Sequence, residues 1–190
     1  MKILWVDVET TGLDAIKNGI IQLSCIVDID GEIKDTLNLF IKPFDNDEIV
    51  PEALEVTGIK IEDLKGFISP NDALLKLQTM MSKYVDKYKR NKIKNDKFYW
   101  GGHNTQFDMN FVQEFFKKCG DKYFGSWFNY RQIDTLRMAD FLVFSGKNFG
   151  ESHKLGDLCK IGNIKLQAHD SMSDITASRE IAYRFKALLK

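Results

Sequence analysis

The run Ile3-Leu4-Trp5-Val6 ends in Asp7-Val8-Glu9, and this junction constrains the fold more than any other stretch of the chain. Consecutive large apolar residues read as a buried strand. Residues two apart on a strand share a face. Asp7 and Glu9 therefore project together from the strand's carboxyl end, where open α/β sheets commonly hold their ligands. Asp-x-Glu alone is frequent in exposed loops and strand ends and decides nothing by itself. Beside a buried strand the situation differs, because paired carboxylates repel each other and raise their own pKa values unless a proton or cation intervenes. A divalent cation resolves that conflict.

The chain of 190 residues has the length of one domain, 1–190, and its 44% hydrophobic residues with 14 phenylalanines suffice for a sizeable core. Its 27 basic and 27 acidic residues cancel, so no overall field announces a nucleic acid and none excludes a phosphate-bearing substrate. Cations held by an acidic cluster would reverse the local field. Cys25, Cys119 and Cys159 are an odd number without Cys-x-x-Cys spacing, which argues against a disulfide framework and a thiolate zinc site. Asp7 and Glu9 interrupt the place where a secretory signal needs an apolar stretch, and no later run approaches membrane-spanning length. A cytoplasmic protein with no membrane partner is expected. Arginine occurs only at positions 90, 131, 137, 179 and 184, so guanidinium clamps on phosphate are scarce.

Gly19 to Asp28 and Ile33 to Ile41 are β-rich runs joined through Asp30-Gly31, a strong tight-turn signal, and predict an antiparallel hairpin. Residues 43–66 read as irregular, with Pro51, Gly58 and Gly66 as breakers. Ser69-Pro70 opens a helical apolar pattern at Ala73, Leu74, Leu77, Met80, Met81, Tyr84 and Val85. Phe98 to Trp100 is a short strand running into Gly101-Gly102, and Phe107, Phe111, Val112, Phe115 and Phe116 mark a further helix face. A last strand is predicted at 130–133, then helices at about 135–144, 155–161 and 171–189. Strands first, then alternating helices and strands, indicate α/β. The lysine-rich run from Lys83 to Lys97 enters a strand's amino end, away from the ligand face, and reads as a solvated surface segment.

Two further segments carry acids. In Gly102-His103-Asn104-Thr105-Gln106-Phe107-Asp108 a loop turns into a helix, with Asn104 or Thr105 as cap and Asp108 in the first turn, where acids commonly complement the helix dipole. His103 reads as structural and Phe107 as core. In His169-Asp170-Ser171-Met172-Ser173-Asp174 the histidine precedes the last helix and Asp174 lies one turn in, so both can face one cleft. Ser171 to Asp174 also reads as a capping box, and Asp170 as a cap. An imidazole titrates near working pH and can take a proton from an attacking water.

These three segments, in this order and separation, resemble the motifs of the DEDDh exonucleases, the DnaQ-like class that includes the proofreading epsilon subunit of bacterial replicative polymerase. Asp7 to Leu13 is similar to the first motif, Asn104 to Asp108 to the second, and His169 with Asp174 to the third. Pro51-Glu52-Ala53-Leu54 with Val56, Gly58 and Ile59 is similar to a segment often found between the first two. The resemblance implies an RNase H-like fold, a mixed five-stranded sheet flanked by helices, and removal of nucleoside monophosphates from a DNA or RNA 3′ end. It implies that Asp7, Glu9, Asp108 and Asp174 hold two magnesium or manganese ions, that His169 is the general base, that the backbone around Thr10 and Thr11 lies near the terminal nucleotide, and that Leu13 lies against its base. Hard oxygen ligands favour those metals on chemical grounds as well.

DNA, as in proofreading, is the favoured substrate. An RNA-trimming enzyme of the same class and a non-catalytic nucleic-acid-binding module with this fold are the alternatives. The sequence stops right after its last helix, without the tail that tethers some proofreading subunits, so no stable polymerase complex is expected. Strandedness, pathway and oligomeric state are left open.

Overall fold

The structure, a computed structural model, describes residues 1–86, 96–150 and 152–189. The amino-terminal apolar run is strand β1 (Lys2–Thr10), in the middle of a five-stranded sheet. β2 (Ile20–Ile29) and β3 (Glu32–Phe40) form the expected hairpin. Its turn residues Asp30 and Gly31 have φ of 55° and 95°, the left-handed pair that Asp-Gly adopts with little strain. β4 (Phe98–Gly102) and β5 (Phe128–Asp134) complete the order β3-β2-β1-β4-β5. β2 is antiparallel to β1 and β3, while β4 is parallel to both β1 and β5. The mixed α/β sheet is the one expected.

The helices are α1 (Pro51–Thr57), α2 (Pro70–Ser82), α3 (Gln106–Lys118), α4 (Phe124–Trp127), α5 (Thr135–Phe144), α6 (Leu155–Gly162) and α7 (Ser171–Ala187). α1 corrects the reading of 43–66 as irregular. Pro51 starts it at a position where the missing N–H costs nothing, and Gly58, at φ 70°, stops it. Leu54 is its one buried residue, so no apolar stripe exists for periodicity to register. The four-residue α4 escaped prediction for the same reason. Residues 87–95 of the lysine-rich run lie outside the described residues.

β1 is buried on both faces, and its side chains divide by parity. Leu4, Val6 and Val8 join Leu23, Cys25 and Val27 of β2 against Leu77 and Met81 of α2 and Phe111 and Phe116 of α3. Ile3 and Trp5 face the other way and pack with Ile26, Ile175 and Ala182, the last two from α7. A Cβ on Gly101 would lie 2.6 Å from the Trp5 ring, so glycine there lets β4 run alongside the indole. The row facing α7 thus runs Ile3, Trp5, Asp7, Glu9, turning from apolar to acidic at the strand's carboxyl end.

The far half of α7 is tied to the hairpin by a buried ion pair. Arg179 Nε donates to Asp28 Oδ2 at 2.7 Å, and Arg179 Nη2 donates to the Gly31 carbonyl at 2.7 Å. The Tyr183 hydroxyl donates to the same Asp28 oxygen at 2.9 Å, and the Gly31 N–H to the other at 2.8 Å. No helix among the described residues is long and apolar enough to cross a membrane.

Candidate active site

The loop before α7 sets one wall of the site. Asp170 is the helix cap, accepting from the Ser173 N–H at 2.9 Å, as its type and place predict. The capping box read from Ser171 does not form. Ser171 is fully buried and its hydroxyl meets that of Ser24 at 2.6 Å, while Asp174 reaches back to accept from the His169 N–H at 3.2 Å. His169 has φ 64°, the left-handed kink that lets the chain reverse into the helix, and it is exposed. Asp174 is thereby held over the sheet end. Its carboxylate and those of Asp7 and Glu9 offer oxygens that all lie within 4.8 Å of one another.

Asp108 lies outside that triplet and adjoins it. β4 pairs with β1 only as far as Trp5 and Gly101, which leaves the Val8 N–H on that edge without a strand partner. Asp108, in the first turn of α3, fills the gap: its Oδ1 accepts from Val8 N at 3.0 Å, and the residue is only 4% exposed. The helix that carries it is not capped as expected, since Thr105 makes no side-chain cap bond and Asn104 makes the turn at φ 56°. Asp134 substitutes from β5. It accepts from the N–H groups of Asn104 at 2.9 Å and Thr105 at 3.2 Å, and from Leu136 N at 3.0 Å as cap of α5. One buried carboxylate thus sets the start of two helices, and sequence reading missed it. The available signal was an Asp-Thr step between a strand and a helix. His103 and Phe107 are structural as read: His103 Nδ1 lies 2.8 Å from Thr135 Oγ1, and the Phe107 ring packs 4.9 Å from that of Phe111.

Of the residues expected at the terminal nucleotide, Leu13 stands free, 87% exposed. The Thr11 side chain turns into the protein. It is fully buried, its N–H donates to the Gly19 carbonyl at 2.9 Å, its carbonyl accepts from Val50 N at 2.8 Å, and its hydroxyl donates to the Glu48 carbonyl at 2.7 Å. A buried threonine with all three polar groups engaged belongs to the loop's scaffold. The Thr10 hydroxyl likewise turns inward, donating to the Gly12 carbonyl at 2.6 Å.

Crowding shifts the acids strongly. Burial, then the neighbouring charges of Asp108, Asp174 and Glu9, raises Asp7 far above the usual carboxylate range. Burial, reinforced by Asp174 and Asp170, pushes Glu9 to about 7. Burial lifts Asp108 to about 8 against the opposing Val8 hydrogen bond, and Asp174 to about 6 against the His169 N–H. Asp174 Oδ1 is buried with no hydrogen-bond donor among the described residues. Converging anionic oxygens, one of them orphaned, fit a hard divalent cation.

A pH dependence follows. Because their folded values lie above their unfolded ones, these groups contribute stability that is full below about pH 4 and lost as pH rises through about 6 for Asp174, 7 for Glu9 and 8 for Asp108. The chelated protein should therefore lose several degrees of melting temperature between about pH 5 and pH 8, and manganese should restore them at pH 8 by replacing the protons. Melting curves with and without chelator test this. A flat profile, or no manganese effect, contradicts it.

A cavity of about 720 Å³ lies elsewhere, between α5, α7 and the sheet, lined by residues such as Ile3, Trp5, Met138, Phe141 and Phe185. None of Asp7, Glu9, Asp108, His169 or Asp174 lines it.

Sheet order thus places the acid triplet at the carboxyl end of the central strand, with His169 on the adjoining loop. A family profile described as Exonuclease, of the RNase T type, matches residues 4–182, and the chain belongs to that family. It is 32% identical over 179 residues to DNA polymerase III PolC-type of Halalkalibacterium halodurans, covering 94% of this chain and 11% of that protein. To the PolC-type polymerase of Bacillus subtilis it is 31% identical over 185 residues, covering 97% of this chain and 11% of the relative. Ribonuclease T of Vibrio campbellii is 25% identical, covering 96% of this chain and 86% of its own length. Among solved structures, the zinc-bound complex of E. coli exonuclease I with single-stranded DNA superposes with a TM-score of 0.80 at 21% identity, covering 98% of this chain and 40% of that one. The RNase H-like fold is shared. The chain spans about a tenth of the polymerases' length and under half of exonuclease I.

Proposed function

We propose that the protein is a metal-dependent 3′ to 5′ exonuclease that releases nucleoside monophosphates, with DNA as its favoured substrate. The observation that carries this reading is the meeting of Asp7 and Glu9 from β1 with Asp174 from α7, oxygens within 4.8 Å, beside buried Asp108. The identity of 31–32% to PolC-type polymerases, against 25% to ribonuclease T, supports DNA. Three unpaired cysteines suit the reducing cytoplasm.

In this reading Asp7, Glu9, Asp108 and Asp174 hold two magnesium or manganese ions. Bound there, the ions would supply positive charge to the phosphate under attack and to the departing 3′ oxygen. His169, exposed on the loop before α7, takes a proton from the attacking water as the water oxygen bonds to phosphorus. The bond to the preceding nucleotide's 3′ oxygen breaks and that oxygen takes a proton from solvent, leaving a nucleoside 5′-monophosphate and a strand one residue shorter. Leu13 offers an apolar face to the terminal base without reading its identity. The backbone around Thr10 and Thr11 borders that nucleotide in this reading, with the Thr10 hydroxyl donating to the Gly12 carbonyl.

His169→Ala should lower kcat by roughly 10²- to 10⁴-fold, the usual contribution of a general base, with manganese binding retained. An unchanged rate removes His169 from the mechanism. A second reading, RNA trimming, is favoured by the near full-length match to ribonuclease T. Matched DNA and RNA oligonucleotides labelled at the 5′ end, with magnesium or chelator, decide between them. Metal-dependent shortening of DNA supports the proposal, shortening of RNA alone replaces it with the second reading, and shortening of neither leaves a binding module.

A further inference from the structure

The site depends on the spacing between two independent elements, since Asp7 and Glu9 ride on β1 and Asp174 on α7. Packing of Ile175 and Ala182 against Ile3, Trp5 and Ile26 holds α7 to the sheet. Such contacts are non-directional, and the Arg179–Asp28 pair anchors the helix at its far half, away from the acids. One directional contact crosses the same gap next to the acids. Ser24 lies on β2 directly opposite Asp7, and Ser171 is the first residue of α7, one turn before Asp174. Both serines are fully buried, and their hydroxyl oxygens are 2.6 Å apart.

The direction of this bond follows from counting protons. Ser24 donates its single proton to Asn38 Oδ1 at 3.1 Å, so Ser171 must donate to Ser24. Gln22, opposite Glu9, donates to the same Asn38 oxygen at 3.1 Å. A polar chain therefore runs behind the acids from α7 through β2 to β3. An apolar pair would fill this place without the cost of burying hydroxyls, so fold stability alone gives no reason for it.

We infer that Ser171 and Ser24 are positioning residues, whose hydrogen bond sets the separation of Asp174 from Asp7 and Glu9 and through it the affinity for the divalent cation. The inference rests on the metal-dependent reading above and assigns neither serine a contact with metal or substrate.

The test compares manganese binding by calorimetry with melting temperature in chelator, for the wild type, Ser24→Ala, Ser171→Ala and the double variant. Manganese affinity should fall 10- to 100-fold in all three variants, the range typical of residues that orient metal ligands. Stability should behave differently. Ser24→Ala strands the Ser171 proton donor and should melt lower, whereas the double variant, with both partners apolar, should recover most of that loss. A double variant that is stable again yet still binds manganese weakly supports positioning. Affinity equal to wild type in the folded double variant, or affinity that follows melting temperature across the set, overturns it. Absence of manganese binding by the wild type would instead overturn the metal-dependent reading itself.

Discussion

Asp7→Asn is expected to reduce mononucleotide release by roughly 10³-fold or more while making the chelated protein more resistant to heat near pH 8. Both effects have one origin. Asp7 is the most crowded acid of the set, raised by burial and then by the charges of Asp108, Asp174 and Glu9. Without a cation the folded chain tolerates it by holding protons, and rising pH takes those protons away. An amide keeps the size of the side chain, removes the charge and so removes the repulsion, but it cannot give a metal an anionic oxygen. Activity and stability then move in opposite directions, as at sites where function requires like charges to be gathered. Asp174→Asn should repeat the loss of activity. Wild-type turnover in purified Asp7→Asn would end the assignment, and a lower melting temperature than wild type in chelator at pH 8 would show that the acids are not in repulsive contact.

Arg179→Ala should be strongly destabilising, costing roughly 3–5 kcal/mol and lowering the melting temperature by about 10 °C. Asp28 is fully buried, and Arg179 is its ion-pair partner. Removing the guanidinium leaves an anion in the interior with, among the described residues, the Tyr183 hydroxyl and the Gly31 N–H to solvate it. Arg179→Lys should recover little, because one guanidinium donates to both the Asp28 carboxylate and the Gly31 carbonyl, a fork that a lysine ammonium does not reproduce. Chemical denaturation of the three proteins tests this. A loss below about 1 kcal/mol for Arg179→Ala would mean that water reaches Asp28.

Much of this was legible along the chain. Ile3 to Val6 specified a buried strand because unbroken apolar character has few other uses over so short a length, and Asp30-Gly31 specified the hairpin because few residue pairs accept two left-handed φ values. Asp7 and Glu9 share a face by strand geometry, and Asp170 caps α7 by residue type and place. What escaped prediction lacked a local signature. α1 buries only Leu54, so no stripe marks it, and nothing in the neighbourhood of Thr11 foretells that Gly19, Glu48 and Val50 take up its polar groups.

The sequence by itself determined the strands, the main helices and the residue types of the site, since these follow from periodicity and side-chain chemistry within a few positions. Only the tertiary structure decided that Asp134 would cap two helices, that Asp108 would complete an edge where β4 stops short, and that Ser171 would turn from its own helix end to Ser24. Each of these polar groups can by its chemistry pair with more than one kind of partner. Which one it takes is fixed when burial removes water as a competitor, and burial depends on segments far away in the chain.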